Sequence, residues 1–238
     1  MRKLLLASFV AFVGATTGNA ADIGWPVYKA PPVVAPPPAF TWTGFYIGAH
    51  AGGAWATSDW TDTDIPGLND ANAHPSGFIG GGQIGANYQV DRFVFGVEAD
   101  LSGADLSNSV GACFQDNLQS CSTKVDWIST VTGRVGWTWD RAMFYGKAGG
   151  AWARFKFENP CGDCTSFDYF ATETRSGWTV GGGIEYALFP NWSVKLEYDY
   201  LNFGSNTPTF VGTAGDTFTE NIANRINEVK VGLNYRFH

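Results

Sequence analysis

Trp192-Ser193-Val194-Lys195-Leu196-Glu197-Tyr198-Asp199-Tyr200 alternates without a break. Every odd member of the run is aromatic or aliphatic, and the even members are serine or charged. A strand sends successive side chains to opposite faces, so this run carries one greasy face and one ionic face. A soluble sheet can carry such a strand as well. Here the pattern recurs along the chain, and the connections between its copies alternate short and long. That combination points to a barrel in a membrane.

Seven other segments share the alternation. Residues 43–56 place Phe45, Ile47, Ala49, Ala51 and Trp55 on one face. Residues 78–89 set Phe78, Ile84 and Tyr88 against Gln83 and Asn87. Residues 93–103 set Phe93, Phe95, Val97 and Leu101 against Glu98 and Asp100, and residues 125–138 set Trp127, Val131, Val135 and Trp137 against Thr130, Thr132 and Arg134. In 143–155, Lys147 fixes the phase, which puts Tyr145 on the ionic face unless a bulge intervenes. Residues 175–186 oppose Trp178, Val180, Ile184 and Tyr186 to Thr179 and Glu185. After the opening strand (192–202), residues 227–237 oppose Val229, Val231, Leu233, Tyr235 and Phe237 to Glu228, Lys230, Asn234 and Arg236.

Segments 90–92, 139–142 and 187–191 are short turns, whereas 57–77, 104–124, 156–174 and 203–226 are long and polar. Short periplasmic turns and long extracellular loops are the signature of outer-membrane barrels. The expected fold is therefore all-β: an eight-stranded antiparallel transmembrane up-and-down barrel with four long extracellular loops.

Composition agrees. The chain has 238 residues, 16% of them aromatic, with Gly 30 and Trp 10, a balance that favours strands over helices. Arg2 and Lys3, an apolar stretch over 4–15 and Gly18-Asn19-Ala20 read as a signal peptide over 1–20. No later apolar run has the length of a membrane helix. Without Arg2 and Lys3 the mature chain is two charges more negative than the −7 of the full sequence, and it has no basic stripe, so nucleic acid is excluded as a partner. Residues 21–42 are a Pro-rich tether, with Pro26, Pro31, Pro32, Pro36, Pro37 and Pro38. At about 3.1 Å per residue it reaches on the order of 60 Å. The barrel itself is expected over 43–238.

Four cysteines suit an oxidising compartment. Cys113 and Cys121 share one predicted loop, and Cys161 and Cys164 another. Two local disulfides are the favoured pairing, with a cross-loop pairing as the rival. No zinc ligands or thioredoxin-like context accompany Cys161-Gly-Asp-Cys164, so no metal or cofactor site is expected.

Which face meets lipid follows from aromatics and charge. Trp42, Trp127, Trp137, Trp139, Trp152, Trp178 and Trp192 fall near strand ends, where interfacial girdles sit. The ionic face carries the acids Glu98, Asp100, Glu185, Glu197, Asp199 and Glu228 and the bases Arg134, Lys147, Lys195, Lys230 and Arg236. The two signs nearly cancel, as a lumen shielded from bulk water requires. Eight strands leave an interior that side chains just fill, so a plugged, salt-bridged lumen is expected rather than a diffusion pore. Excess acid gathers in the loops at Asp59, Asp62, Asp64, Asp70, Asp116, Asp163, Asp168, Asp216 and Glu220, a solvated surface or a divalent-cation bridge to lipopolysaccharide.

Tyr28-Lys29-Ala30-Pro31, Trp42-Thr43-Gly44-Phe45-Tyr46-Ile47-Gly48, Phe95-Gly96-Val97-Glu98-Ala99-Asp100, Gly133-Arg134-Val135-Gly136 and the closing run Val229 to Phe237 together resemble the Omp25/Omp31 (RopB-like) outer-membrane barrels of alphaproteobacteria, architecturally akin to the OmpA barrel. The resemblance implies a surface-exposed, immunogenic, structural envelope protein. Some such proteins are called porin-like and some bind haemin. It also implies handling by the barrel-assembly machinery, which reads a terminal aromatic. Tyr235 and Phe237 supply the alternating signal, although His238 follows. Some relatives join peptidoglycan through a processed Ala-Asp end, which here would be Ala21-Asp22. Oligomeric state is not legible.

Two alternatives carry residues. A lipid A-modifying enzyme would use His50 with Ser58 or Asp59, an isolated histidine without a spaced partner motif, so no catalytic residue is assigned. A haemin or small-ligand surface would use Trp60, His74, Phe114, Phe167, Tyr169 and Phe170.

Overall fold

The computed structural model describes residues 40–62, 71–111, 120–159, 169–207, 209–212 and 217–237. The signal segment, nearly all of the tether, Cys113, Cys161, Cys164 and His238 lie outside the described residues. So do Phe114 and Phe167, and the side chains of Trp60, Cys121, Tyr169 and Phe170.

Eight long strands close on themselves: β1 (Gly44–Asp62), β3 (Ser76–Val90), β4 (Phe93–Gly111), β5 (Ser120–Trp139), β6 (Ala142–Asn159), β7 (Tyr169–Ala187), β8 (Trp192–Asn206) and β10 (Thr217–Phe237). Two short strands, β2 (Ala71–Ala73) and β9 (Thr209–Gly212), lie between them in sequence. Each long strand pairs antiparallel with the next, and β1 pairs with β10 from Phe45↔Phe237 to Asp62↔Glu220, which completes the barrel. Closure leaves no free edge along these strands, the condition for a sheet to cross hydrocarbon.

Two turns are two-residue hairpins, Asp91-Arg92 and Asp140-Arg141, bounded by the pairs Val90↔Phe93 and Trp139↔Ala142. Their aspartates take positive φ, 53° and 54°. Such hairpins require left-handed backbone, which Asp tolerates better than most residues because its carboxylate bonds locally.

The outer face is apolar along the lower part of the strands: Phe45, Ile84, Phe95, Val97, Val131, Leu196 and Val231 are all exposed. Lys195, Glu197 and Asp199 are buried while Leu196 and Tyr198 are exposed, so the opening run has its ionic side in the lumen. Tyr145 is buried beside Lys147 without a bulge in β6, as the phase of Lys147 requires.

The strands run further than their alternation announces. β5 has 20 residues and β10 has 21, and they take in much of what reads as loop over 104–124 and 203–226. At about 3.3 Å per residue and a tilt near 40°, 20 residues rise about 50 Å, twice the apolar band of about 25 Å. The upper part of each strand therefore stands in water, and its outward side chains turn polar: Thr57, Ser107, Lys124, Arg154, Thr174 and Arg225. Inward side chains turn mainly apolar at the same level. A bulge at Asp126, between Val125 and Trp127, changes the parity of β5 and sends Val125 inward.

Candidate functional site

The lumen is filled at three levels. At the periplasmic mouth, Trp42 is fully buried with Val94, Met143, Tyr145 and Ala187, and Phe40 packs against this group. The Trp42 backbone N–H donates to Gln89 Oε1 at 2.7 Å, and Arg236 donates from Nη1 to the Thr41 carbonyl at 3.0 Å. The Arg236 guanidinium lies 4.3 Å from the Trp42 ring centroid and 5.1 Å from that of Phe40. This corrects two expectations. Trp42 is not part of the lipid-facing girdle, and Arg236 is not part of the ion-pair network. Among the described residues no carboxylate pairs with Arg236. The chain entering β1 folds across the mouth, so the arginine meets aromatic faces and a carbonyl there.

Above the mouth, four cations and six carboxylates interlock. Glu98 accepts from Tyr46 Oη at 2.7 Å and lies within 3.4 Å of Arg134, Lys147 and Lys195. Glu197 accepts from Tyr145 Oη at 2.6 Å and from Lys147 at 2.8 Å, with Lys195 at 3.3 Å and Lys230 at 3.4 Å. Lys147 also faces Asp199 at 3.2 Å and Asp100 at 3.8 Å. Lys230 pairs with Asp199 at 2.7 Å and Glu228 at 3.3 Å. Glu185 meets Arg134 at 3.3 Å, Ser193 Oγ at 2.5 Å and Asn234 Nδ2 at 2.9 Å. Each of these ten charged residues is nine-tenths or more buried. Their desolvation is tolerable only because every charge faces an opposite one.

Two inward glycines make this packing fit. Gly85 is the register partner of Tyr46 and Gly183 of Tyr145. A Cβ at Gly85 would strike the Tyr46 ring, and one at Gly183 would strike the Leu196 carbonyl and the Tyr145 hydroxyl. Arg134 lies between the two rings, 4.7 Å from the Tyr46 centroid and 5.3 Å from that of Tyr145.

Glu98, Asp100 and Glu197 offer oxygens within 4.8 Å of one another, a spacing that suits a cation. The Lys147 ammonium already lies among them, so their charge is answered from within the chain. His50 is buried with both ring nitrogens engaged: Nδ1 lies 2.6 Å from Gln83 Oε1 and Nε2 2.7 Å from Ser102 Oγ. The grouping of His50 with Ser58 and Asp59 is not assembled. Ser58 Oγ donates to Asn224 Oδ1 at 2.6 Å, and Asp59 faces Arg225 at 3.6 Å on the outside. His74 is exposed.

The third level is apolar. Ile79, Leu106, Val125, Ile128, Phe155, Phe157, Leu201, Phe203, Ile222 and Ile226 fill the upper lumen. Phe155 and Phe157 stack with centroids 6.0 Å apart, and Phe203 meets Phe155 edge-on. Arg175 lies 5.3 Å from the Phe157 ring and donates to the Ile222 carbonyl at 2.8 Å. Neither this layer nor Arg175 belongs to the expected site. Their signal is the inward parity of β6 and β7 continued past the membrane.

The profile of the outer membrane protein beta-barrel domain matches residues 8–237. The 31 kDa outer-membrane immunogenic protein of Brucella melitensis is 36% identical over all of this chain and all of its own. The chain belongs to the Omp25/Omp31 family of outer-membrane β-barrels. The 25 kDa outer-membrane immunogenic protein of Brucella abortus is 27% identical, covering 100% of this chain and 99% of its own. A 22 kDa outer membrane protein of Rhizobium leguminosarum bv. viciae is 31% identical over 84% of this chain and 80% of its own. Neisserial surface protein A is similar in backbone, with a TM-score of 0.43 and 17% identity over 82% of this chain and 98% of that one. An Omp25/Omp31 barrel resides in the outer membrane, so the exposed Phe, Val and Leu side chains face lipid.

Proposed function

We propose that this Omp25/Omp31 barrel is a structural, non-conducting and non-enzymatic protein that supports envelope integrity while exposing immunogenic loops. The observation that carries the reading is the filled lumen, closed by Trp42 at the mouth, by the Lys147-centred network in the middle and by stacked phenylalanines above. Lipid and lipopolysaccharide surround it, and the barrel-assembly machinery reads Tyr235 and Phe237. The tether joins peptidoglycan through Ala21-Asp22, and the Arg236–Trp42 clasp gives the tether a firm root in the barrel.

Planar-bilayer recording from the isolated monomer tests the sealed reading. The expected trace is flat, and a large, steady conductance would overturn it. Muramidase digestion of purified sacculi tests the tether, with a released peptide beginning at Ala21 expected. Its absence would leave the barrel unanchored. The non-enzymatic reading expects lipid A of unchanged mass in cells carrying His50→Ala.

A further inference from the structure

Lys124 on β5 is the register partner of Lys156 on β6, and Arg154 on β6 is the partner of Trp127. Thr123, Val125, Phe155 and Phe157 are buried in the lumen, so the three basic side chains point out of the barrel. Like charges set directly opposite across a sheet repel. Lys156 relieves part of this by pairing with the bulge residue Asp126 at 2.7 Å. Lys124 and Arg154 are exposed and have no ion-pair partner among the described residues. Exposed Asp105 on β4 offsets the patch in part. Elsewhere on the upper outer face, Arg225 is neutralised by Asp59 at 3.6 Å.

Directly below the basic patch, Leu101, Gly103, Trp127, Ser129 and Trp152 line an outward groove. Ser129 turns its hydroxyl to the Asp100 carbonyl at 3.0 Å, which leaves the groove's lining largely apolar. Tryptophan at this depth marks the headgroup zone, with acyl chains beneath and phosphates above. The patch lies at the long-loop end of the barrel, hence on the outer leaflet.

We propose that this face binds the phosphorylated glucosamine headgroup of lipopolysaccharide, with Lys124, Arg154 and Lys156 on its phosphates and an acyl chain along the Trp127–Trp152 groove. Several cations spread over two strands match a headgroup with two separated phosphates better than a glycerophospholipid with one. The contact is direct and needs no bridging divalent cation. The inference rests on the outer-membrane placement and not on the sealed lumen, so a conducting barrel would leave it standing.

Native mass spectrometry of the refolded barrel, titrated in EDTA with bisphosphorylated lipid A or phosphatidylglycerol, tests it. The parent is expected to prefer lipid A. The Lys124→Gln/Arg154→Gln/Lys156→Gln variant should lose on the order of tenfold or more in affinity, and Arg225→Gln should lose none. Arg154→Gln alone should lose about fivefold and carries the test if the triple variant fails to refold. Equal binding by the triple variant, or by Arg154→Gln in its place, would overturn the proposal. So would equal binding of phosphatidylglycerol, an equal loss in Arg225→Gln, or lipid A binding only when divalent cations are restored.

Discussion

The lower and upper halves of this barrel are built on opposite polarity. Below, apolar side chains such as Val97, Leu196 and Val231 face outward and Glu98, Lys147, Lys195 and Glu197 face inward. Above, Lys124, Arg154 and Thr174 face outward while Leu106, Phe155, Phe157 and Ile226 face inward. One hydrogen-bonded sheet runs through both. The difference shows that solvent, not strand geometry, chooses which face is greasy. In lipid the outside must be apolar, and the lumen is left to paired charge. In water the sheet reverts to an oil-filled interior like that of a soluble barrel.

The largest expected effect is in the lower half. Lys147→Met removes the ammonium shared by Glu98, Asp100, Glu197 and Asp199, and taking one partner out of a buried ion-pair network costs about 4 kcal/mol. Urea unfolding in liposomes should register that loss. Phe155→Ala tests the upper half, where the loss is one of packing, about 3 kcal/mol. Its effect should be insensitive to salt, and a salt-dependent loss would blur the division between the halves. On the outer face, Leu196→Arg should cost about 3 kcal/mol against hydrocarbon, whereas Thr174→Arg should cost less than about 0.5 kcal/mol. Similar values for the two would place the upper strands in lipid. The smallest clear effect is expected from Gly85→Ala, about 1–2 kcal/mol, as the Tyr46 ring is forced from its place over Gly85.

The lower half was legible in the sequence because lipid imposes strict alternation there. The eight strands, their facing and the inward turn of Tyr145 all follow from period 2 with Lys147 as the phase marker. The Asp-Arg pairs at 91–92 and 140–141 marked the tight turns. The upper half was illegible for the same physical reason that it differs. Polar outward residues such as Thr57, Asp59 and Ser107 resemble loop composition, and the bulge at Asp126 breaks the parity that would have extended β5. Arg236 was assigned by phase alone. Phase gives the side of a strand but not its partner, and the fold of residues 40–42 across the mouth has no periodic signature. Gln83, Asn87 and Asn234 were visible as polar-face residues, but their contacts depend on register between strands distant in sequence: Asn87 accepts from Arg134 at 2.9 Å, and Gln83 donates to Asn234, which donates to Glu185.

The division of the barrel turns on where the lipid belt ends. Amide-resolved NMR in nanodiscs, with doxyl-labelled lipid and a soluble gadolinium chelate as opposing relaxation agents, reads that boundary along each strand. On β6, lipid-borne broadening should stop between Trp152 and Arg154, with the chelate acting on Arg154 and Lys156. On β5 it should stop between Trp127 and Lys124. Lipid-borne broadening that continued through Lys156 and Lys124 would contradict the division of the barrel into a membrane half and an aqueous half.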